Sequence, residues 1–442
     1  MEGKHLIAVC QMNAKENKND NFEVCKSMIE RAAAIGCEMV FLPECFDMIC
    51  DSKKKTLENI EPIVGPLITN YRQLAQKCNV WLSLGGLHEK GPKYAETGKA
   101  SNAHIVINAN GDIASVYRKV HLFNLDIPGV VRLVESEFSV AGDAVIDPVS
   151  TPIGKVGLGI CYDVRFPEFA TALAKAGADI LTYPSSFTVP TGLAHWETLL
   201  RARAIENQCY VVAAAQFGTH NTKRSSYGHA MVVDPWGTVI AQCSEKSDFA
   251  VAVVDGDFLK TARMKLPIWT DRRSELYGNI IPPIAAEVSE NQTYHFGAVE
   301  IHPYQVFYKT RFTFAFVNHR PLLPGHVLVA PLRVSAERMC DLTSNEITDV
   351  FTTVQKVQKA IETEYEARSS TVAIQDGPEA GQSIRHLHVH ILPRKSEDFG
   401  GNIDKIYSEL QKHDKIGNEK TFKLLNEEEM SANADRLRKY FV

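Results

Sequence analysis

The feature that most constrains the fold of this chain is an interruption at residues 280–297, which read IIPPIAAEVSENQTYHFG. Paired prolines followed by small and polar residues are typical of a linker. The length of 442 residues predicts two or three domains, at roughly 100 to 200 residues per domain. Since no internal repeat relates the two sides, the sequence predicts two different domains, at 1–280 and 296–442, joined by a linker at 281–295.

Before the interruption, β-rich apolar runs alternate with amphipathic helical patterns, which is typical of a layered α/β domain. Strands are predicted at residues 6–10, 39–42, 81–85, 156–160, 180–183 and 210–215. Apolar residues at three- and four-residue intervals predict helices at 29–35, 169–176 and 196–205. The tetrapeptide DPWG, residues 234–237, predicts the turn of a hairpin.

After the interruption the pattern restarts with different elements. Two apolar runs within FTFAFVNHRPLLPGHVLVAPL predict a pair of strands that turns near Arg320 and Pro321. Thr343, followed three residues later by Glu346, forms a capping box that predicts the start of a long helix. The helix positions predicted to be buried are Ile347, Val350, Phe351, Val354, Val357 and Ile361.

Charge and cysteine content narrow the functional classes. With 48 Lys and Arg against 53 Asp and Glu, no overall field draws the chain to a nucleic acid polymer or a membrane surface. The first apolar run, at 6–10, is too short for a signal peptide core or a membrane span. The ten cysteines form no C-x-x-C pair. We therefore expect a soluble cytoplasmic protein in which nine of the ten cysteines are small buried side chains.

Three short motifs before the interruption each follow a strand-like run: FLPECF with Glu44, YRKVHLF with Lys119 and GLGICYDVRFPE with Cys161. Gly157 and Gly159 allow close packing and a sharp exit, which places Cys161 near a strand-to-helix junction where a helix N-terminus would favour the thiolate. Glu44 could accept the thiol proton, and Lys119 could stabilise the thiolate and an oxyanion. The three residues predict a cysteine nucleophile with a base and a cation.

In this order, LPE, RKVHLF and GICYD-x-RFPE resemble the nitrilase superfamily across residues 5–280. The resemblance implies a four-layer αββα sandwich and a triad of Glu44, Lys119 and Cys161. It also implies a second glutamate, matched by Glu135, that orients Lys119 and the attacking water. Cys161 would attack an amide or nitrile carbon, ammonia would leave and water would hydrolyse the thioester. The wording CYDVRFPE is most similar to the amidase branch that is associated with deaminated glutathione, an ω-amide of a 2-oxo acid.

Near the other end of the chain, RHLHVHILPR carries histidines at alternate positions. In an extended strand, alternate side chains share one face, about 6.7 Å apart along it. The residues on this face, which we expect to be accessible, are His386, His388 and His390. The residues expected to point into a core are Leu387, Val389 and Ile391.

A metal and a phosphate are the two serious occupants for such a histidine face. Zinc requires three or four ligands, and His326 is the only obvious addition to the row. The Gly-containing loop QDGPEAGQSI, residues 375–384, lies directly before the row, and Arg394 lies directly after it. Since loop N–H groups and an arginine are suited to phosphate, the neighbourhood favours a phosphate site over a metal site.

Together with NHRPLLPGHVLV and QDGPEAGQSIRHLHVH, the motif HLHVHIL resembles the Fhit branch of the histidine triad superfamily from about residue 296 onward. The resemblance implies an α+β domain that cleaves diadenosine triphosphate to AMP and ADP. His388 would attack the α-phosphorus and carry the nucleotide, and His390 would contact bridging and terminal phosphate oxygens. His386 would brace the nucleophile, and His326 would join the same hydrogen-bond network.

The same resemblance implies further substrate contacts. Asn318 would hold a ribose, and the residues expected along the phosphate path are Gln375, Gly381, Gln382, Ser383, Ile384 and Arg394. A histidine that the family places shortly after Phe296-Gly297 is replaced by Ala298-Val299, so that contact is not expected here. No tightly bound cofactor is implied, although Mg or Mn could accompany the polyphosphate.

Both families self-associate, so the resemblance implies a homotetramer in which the Fhit-like domains are paired. The combined expectation is a bifunctional hydrolase acting on a small amide and on a dinucleoside polyphosphate. The alternative is a nucleotide-binding signalling protein whose substrate-bound state is the output. The sequence does not separate the two, because binding and catalysis use the same residues.

Overall fold

The computed structural model describes residues 2–128, 131–277, 280, 292–413 and 424–441. It divides into two compact units, 1–282 and 283–442. Most of the predicted linker, residues 281–291, lies outside the described residues. The strand Tyr294–Phe296 begins before the predicted end of that linker.

The first unit contains a nine-stranded sheet. Its path runs Arg224–Tyr227, Ala215–Asn221, Lys4–Met12, Met39–Leu42, Trp81–Glu89, Ala100–Ile107 and Ile113–Arg118. The strand Asp248–Asp255 pairs antiparallel with Lys4–Met12, and Ser139–Val140 pairs with Ala100–Ile107. Parallel pairing of Lys4–Met12, Met39–Leu42 and Trp81–Glu89 aligns their carboxyl ends, so side chains that follow these strands meet at one edge.

A second sheet of six strands runs in the order Val239–Gln242, Met231–Val233, Tyr210–Ala213, Ile180–Thr182, Gly154–Leu158 and Val149–Thr151. The predicted hairpin turn is present between Met231–Val233 and Val239–Gln242. The predicted strand 210–215 is divided, because Ala215 begins a strand of the first sheet. A separate antiparallel pair joins Asn124–Ile127 to Val131–Val134.

Helices cover the outer faces of the two sheets. The helices of the described part of this unit are Lys18–Ala34, Lys53–Glu58, Pro66–Cys78, Tyr94–Thr97, Pro167–Lys175, Val189–Asn207, Gly256–Lys265, Ile268–Asp271 and Ser274–Tyr277, with 3-10 turns at Glu135–Glu137 and Cys161–Arg165. Along the first strand, Ile7 and Val9 belong to the core shared with the second sheet. Ala8 and Cys10 face the opposite way, toward the core under Lys18–Ala34. This alternation produces helix, sheet, sheet and helix layers, which confirms the predicted αββα sandwich.

The second unit is built on a five-stranded antiparallel sheet in the order Val306–Lys309, Thr313–Val317, Val327–Pro331, Val389–Arg394 and Ser369–Ala373. A small hairpin joins Tyr294–Phe296 to Val299–Ile301. The described helices are Ser344–Glu364, Lys405–His413 and Glu427–Arg438, with 3-10 turns at Pro303–Gln305, Met339–Asp341, Pro378–Ala380 and Asp398–Gly401. The mixture of antiparallel sheet and helices confirms the expected α+β class.

The long helix Ser344–Glu364 begins at the predicted capping box, in which Thr343 and Glu346 bond reciprocally. Four of its predicted core positions are buried: Val350, Val354, Val357 and Ile361. The prediction is wrong for Ile347 and Phe351, which are 38% and 42% exposed. The buried stripe is turned toward Asp349, whose carboxylate accepts a hydrogen bond from the buried Thr310 hydroxyl. Because this polar pair occupies the buried face of the helix, Ile347 and Phe351 lie at the edge of that face.

All ten cysteines are free, and seven of them are buried. Cys50 and Cys78 are partly buried, and Cys340 is exposed, so the expectation of nine buried structural cysteines was too high. Across the described residues, no helix has the length and apolar character needed to cross a membrane.

Candidate active sites

Cys161 stands just after the strand Gly154–Leu158, at the first residue of a 3-10 turn. Its φ of 46° lies in the left-handed region, which costs a non-glycine residue about 1–3 kcal/mol. The Asp163 carboxylate holds this turn, because it accepts the Ile160 N–H at 2.9 Å and the Tyr117 hydroxyl proton at 2.8 Å. The fold therefore fixes the reactive cysteine on a constrained turn beyond the sheet edge.

The predicted partners of Cys161 converge around one buried ammonium. Lys119 Nζ donates to Glu44 Oε1 at 3.1 Å and to Glu135 Oε2 at 2.9 Å. Lys119 and Glu44 are buried, with side chains 2% and 5% exposed, and Glu135 is 12% exposed. Low exposure strengthens the attraction between these charges relative to a surface pair. Lys119, Glu44 and Glu135, from distant parts of the chain, thus form one cluster, and the Glu44 carboxylate is also hydrogen-bonded to the Cys161 side chain.

Two residues of this cluster were missed by the sequence reasoning. Asn102 Nδ2 donates to Glu44 Oε1 at 2.9 Å and to Glu135 Oε1 at 3.1 Å, so it bridges the two carboxylates. The backbone N–H of Ser186 donates to Glu44 Oε2 at 2.9 Å. The first lies within an ordinary strand and the second acts through its backbone, so neither carries a recognisable motif.

The directions of the pKa shifts indicate which of Glu44, Lys119 and Cys161 carries a proton. Burial opposes ionisation of Glu44, but the Lys119 ammonium, the hydrogen bond from Cys161 and the Arg224 guanidinium together outweigh burial and hold the pKa of this carboxyl below its ordinary value. Burial also opposes the charge on Lys119, yet Glu135 and Glu44 raise its pKa well above the ordinary value. Burial and the negative Glu44 raise the pKa of the Cys161 thiol well above its ordinary value.

Burial and charge therefore favour a thiol beside a carboxylate in the resting site, and the helix N-terminus expected at Cys161 is replaced by a 3-10 turn, with the next helix beginning at Pro167. The turn at Cys161–Arg165 is too short to supply a substantial helix dipole. Burial and Glu44 together outweigh the attraction of Lys119 for a thiolate. The cluster is arranged for removal of the thiol proton at the moment of attack, with Lys119 as a donor to a developing oxyanion.

In the second unit, the histidine row lies at the start of the strand Val389–Arg394 and just before it. The residues opposite the histidines, Leu387, Val389 and Ile391, lie in the core as predicted. The histidine face is less accessible than expected, because His386, His388 and His390 are at most 3% exposed. Phe296 covers part of it, with its ring centroid 4.9 Å from that of His388 in an edge-on arrangement.

Both ring nitrogens of His386 are hydrogen-bonded within the protein. Its Nδ1 accepts the Gly297 N–H at 2.9 Å, so Nε2 carries the ring proton and donates to the Pro331 carbonyl oxygen at 2.8 Å. Burial lowers the pKa of His386 to about 4, although the Pro331 carbonyl opposes this shift. A neutral ring with both nitrogens bonded cannot ligate a metal, but its backbone carbonyl can hold the next histidine.

The backbone carbonyl of His386 determines the tautomer of His388. His388 Nδ1 lies 2.8 Å from that oxygen. Because a carbonyl only accepts, Nδ1 carries the proton, and the lone pair of the neutral ring is on Nε2. His388 therefore presents the nitrogen lone pair that attack on phosphorus requires.

A second chain of hydrogen bonds determines the tautomer of His390. The Leu322 N–H donates to His326 Nδ1 at 3.2 Å, so His326 Nε2 carries the proton. That Nε2 lies 3.0 Å from His390 Nδ1, which must accept, and the proton of His390 is consequently on Nε2. Two neighbouring buried rings, with centroids 4.9 Å apart, thus carry opposite functions on Nε2: a lone pair on His388 and an N–H on His390.

The predicted phosphate loop lies before this row. Gly381 has a φ of 96°, a conformation that favours glycine, and the end of the flexible Gln375 side chain packs against it. The Gln382 side chain is used within the loop, since its Oε1 accepts the Gly377 N–H at 2.9 Å and its Nε2 donates to the Glu337 carbonyl. Ser383 is exposed.

Two further predicted contacts, Ile384 and Asn318, lie beside the histidines. Ile384 is partly buried and packs closely against Gly297. A side chain at position 297 would begin only 2.8 Å from Ile384 Cγ2. Asn318 Oδ1 accepts the Arg320 N–H at 2.9 Å, so the atom 3.3 Å from His326 Nε2 is the Asn318 amide nitrogen. Since both nitrogens carry protons in this tautomer, the two side chains are in contact without a hydrogen bond. The ribose contact of Asn318 remains a prediction.

Arg394 does not join the histidines. Its Nε donates to Asp398 at 3.0 Å, Nη1 to the Thr371 hydroxyl at 2.9 Å and Nη2 to the Ile403 carbonyl. Four residues of strand separate it from His390, a span of about 13 Å. The structure therefore does not bring Arg394 to the histidines, because this guanidinium anchors the segment after the strand. Its expected contact with phosphate remains a prediction.

Within the part of the chain that the structure describes, no group of three or more His, Cys, Asp or Glu side chains is arranged to hold a metal ion. In the histidine row this follows from the hydrogen bonds of His386. The sequence-based preference for phosphate over metal remains a prediction about the purified protein.

The folds and sites define a class: a cysteine hydrolase sandwich followed by a histidine triad unit. The carbon–nitrogen hydrolase family matches residues 6–264, and the HIT domain family matches residues 300–397. The nitrilase and fragile histidine triad fusion protein NitFhit of Caenorhabditis elegans is 51% identical over 93% of this chain and 92% of its own length. Its crystal structure has a TM-score of 0.88, with 46% identity over 99% of both chains.

The deaminated glutathione amidase of Homo sapiens is 51% identical over 63% of this chain and 86% of its own length. This match spans 280 residues, whereas the Caenorhabditis elegans match spans 413. The chain belongs to the family of nitrilase and fragile histidine triad fusion proteins, and it combines two hydrolase units.

Proposed function

We propose that the first unit hydrolyses a small amide, with deaminated glutathione as the candidate substrate, through a thioester on Cys161. The observation that carries this proposal is the position of Lys119 between two carboxylates, one of which is the base for the thiol. The substrate is supported by the name of the human relative that matches this unit.

The reaction proceeds in two balanced steps. In the first, Cys161 Sγ bonds to the amide carbon while Glu44 takes the thiol proton and Lys119 donates to the oxyanion. The carbon–nitrogen bond then breaks, and Glu44 returns the proton so that ammonia leaves. In the second step, water positioned by Glu135 loses a proton to Glu44 and attacks the thioester, which releases a carboxylic acid and restores the thiol.

Ammonia release from deaminated glutathione tests this proposal. Wild-type protein should release one ammonia per substrate, and Cys161→Ala should release none while retaining its activity toward diadenosine triphosphate. The retained activity measures the amount of intact second unit, and tryptophan fluorescence, which comes only from residues before 282, serves as the folding control for the first unit. Ammonia release by Cys161→Ala at the wild-type rate would contradict the triad.

We propose that the second unit is a bis(5'-adenosyl)-triphosphatase. The observation that carries this proposal is the pair of opposite tautomers on His388 and His390. His388 Nε2 bonds to the α-phosphorus, and the bond to the bridging oxygen breaks with release of ADP. His390 Nε2–H donates to the phosphate oxygens on which charge develops. Water then attacks the nucleotidyl-histidine, releases AMP and restores the ring.

Stereochemistry at phosphorus provides the sharpest test of this mechanism. Two successive displacements should give net retention with a substrate chiral at the α-phosphorus, and rapid quenching should trap AMP on a peptide containing His388. Net inversion, or undiminished turnover by His388→Ala, would defeat the nucleophile assignment.

We also propose that no stoichiometric metal is required and that Mg or Mn enters with the polyphosphate. Purified protein should contain less than about one zinc per ten chains and remain folded in chelator. Elemental analysis near one zinc per chain would overturn this part of the proposal.

Two further proposals concern the cellular location and the oligomeric state of the protein. We propose a cytoplasmic location, supported by ten free cysteines, since a reducing compartment preserves unpaired thiols. We propose a homotetramer with paired second units, supported by the family resemblance. Light scattering at several protein concentrations should report four chains per particle, and a stable monomer would contradict this.

A further inference from the structure

Arg224 is a cation beside the first active site that no proposed step uses. It begins the strand Arg224–Tyr227, which pairs antiparallel with Ala215–Asn221. The side chain is partly buried; its Nη2 donates to Ser186 Oγ at 3.0 Å and lies 4.0 Å from Cys45 Sγ. A guanidinium has five N–H donors, so these two contacts leave most of its capacity available.

Hydrogen bonds fix the orientation of this guanidinium. His220 Nδ1 lies 2.9 Å from the Ala14 carbonyl oxygen and so carries the ring proton, which leaves His220 Nε2 to accept from the Ser226 hydroxyl at 2.8 Å. Ser226 Oγ in turn lies 2.9 Å from Ser186 Oγ and must accept the Ser186 proton. Ser186 Oγ is thereby directed to accept from Arg224. The arginine is preorganised rather than loosely placed.

Arg224 lacks the carboxylate partner that Arg118 and Arg203 of the same unit have. Arg118 is paired with Glu89 at 2.6 Å, and Arg203 is paired with Glu206 at 2.8 Å. Among the residues that the structure describes, no Asp or Glu lies within ion-pair distance of Arg224. The nearby carboxylates of the active site are occupied by Lys119.

The guanidinium is nevertheless close to the reacting atoms. Ser186 accepts from Arg224 through its hydroxyl and donates to Glu44 through its backbone N–H, so two hydrogen bonds connect Arg224 to the base. Burial opposes the charge on Arg224, but Cys45, Glu44 and Cys161 raise its pKa above the ordinary value. Its charge is therefore permanent and is felt at the nucleophile.

We propose that Arg224 binds a carboxylate of the amide substrate and makes the first unit selective for anionic amides. A planar guanidinium with free donors matches a carboxylate in a bidentate geometry. This inference rests on the proposed amidase function of the same unit. The competing role is purely internal: Arg224 would offset the excess negative charge of Glu44 and Glu135 and would not touch substrate.

A matched pair of alkylating reagents separates these roles without requiring the natural substrate. N-Chloroacetylglycine carries a carboxylate a few bonds from its reactive carbon, and its methyl ester is neutral. In both, Cys161 sulfur bonds to the methylene carbon and chloride leaves. Rates of Cys161 labelling in the full chain are measured by peptide mass spectrometry and divided by the rates with a small free thiol.

Wild-type protein should prefer the acid, and Arg224→Gln should reduce this preference about tenfold or more. Lys223→Gln, which removes an exposed charge from the same hairpin, should leave it unchanged. Arg224→Lys, which keeps the charge but loses the paired N–H donors of the guanidinium, should retain only part of the preference. If Arg224→Gln does not fold, as judged by circular dichroism, the lysine variant decides.

The proposal is overturned if wild type shows no preference, or if both Arg224 variants keep the full wild-type preference. It is also overturned if Arg224→Gln slows both reagents equally and moves the pH profile of the neutral ester, because that pattern belongs to an internal role acting on Glu44. A failure to release ammonia from deaminated glutathione would instead count against the proposed substrate and would leave the labelling result intact.

Discussion

The two units hold their nucleophiles by different physical means. In the first, charge organises the site: one buried ammonium lies between two carboxylates, and the nucleophile keeps its proton until attack. In the second, neutral rings organise the site, and backbone groups at Gly297, Pro331 and Leu322 dictate which nitrogen carries each proton. A thiol must lose a proton to become a nucleophile, whereas a correctly tautomerised imidazole already has its lone pair.

This difference predicts different vulnerabilities. The cysteine site depends on a base whose charge is maintained by Lys119, so a change of one charge should be severe. The histidine site depends on several neutral hydrogen bonds, each of which contributes modestly. Because both units occur in one chain, the activity of one serves as an internal control for variants of the other.

The largest effect is expected from Glu44→Gln. An amide of nearly the same shape cannot accept the thiol proton, so ammonia release should fall about 10²–10⁴-fold. Turnover of diadenosine triphosphate by the same protein should stay within about twofold of wild type. Steady-state assays of both activities on one preparation provide the measurement. A loss smaller than about tenfold in ammonia release would show that Glu44 is not the base.

A smaller effect is expected from His326→Ala, which removes the donor that fixes the His390 tautomer. His390 could then carry its proton on either nitrogen, and nucleotide turnover should fall about 10–100-fold, with ammonia release unchanged. The fall should appear mainly in kcat, since the N–H of His390 is needed where charge develops. An unchanged kcat would show that the hydrogen bond from His326 to His390 is not needed for turnover.

A third prediction compares the units through acid stability. Burial holds the pKa of His386 at about 4, below its ordinary value of 6.5, with the Pro331 carbonyl opposing the shift. The unfolded chain therefore binds more protons between pH 6.5 and about 4, so the stability from this residue is complete above pH 6.5 and is lost as pH falls toward 4, by about 3 kcal/mol.

Urea unfolding at several pH values checks this window. All four tryptophans precede residue 282, so their fluorescence follows only the first unit. Pulse proteolysis follows the second. In His386→Asn the loss of stability of the second unit between pH 6.5 and 4 should be smaller than in wild type, and an identical slope would contradict the assignment.

Where the functional residues lie in one short run of the sequence, much of the site could be predicted from that run. The alternation of RHLHVHIL placed three histidines opposite Leu387, Val389 and Ile391, which do lie in the core. The first site is dispersed over four segments, and the family motifs rather than any pattern of spacing brought Glu44, Lys119 and Glu135 to Cys161.

What the sequence did not provide were properties set by the surroundings of a side chain. Asn102 and Ser186 act through ordinary hydrogen bonds, and the protonation of Cys161 depends on the balance of burial and charge. Ile347 and Phe351 fit a helical apolar stripe, but the buried Asp349 turned that stripe away from them. The sequence also did not indicate that the partner of Arg394 is Asp398, four residues further along the chain.

The smallest effect on turnover is expected from Arg394→Gln. The guanidinium is 9% exposed and bonds to Asp398, Thr371 and Ile403, so its removal should destabilise the second unit by about 1–3 kcal/mol. Nucleotide turnover under native conditions should remain within about twofold of wild type, because the hydrogen bonds of Arg394 hold its guanidinium on the segment after the strand and not at the histidines. Lys395→Gln removes a neighbouring exposed charge and should change neither quantity. A large rise in KM for diadenosine triphosphate with unchanged stability would restore Arg394 to the phosphate path.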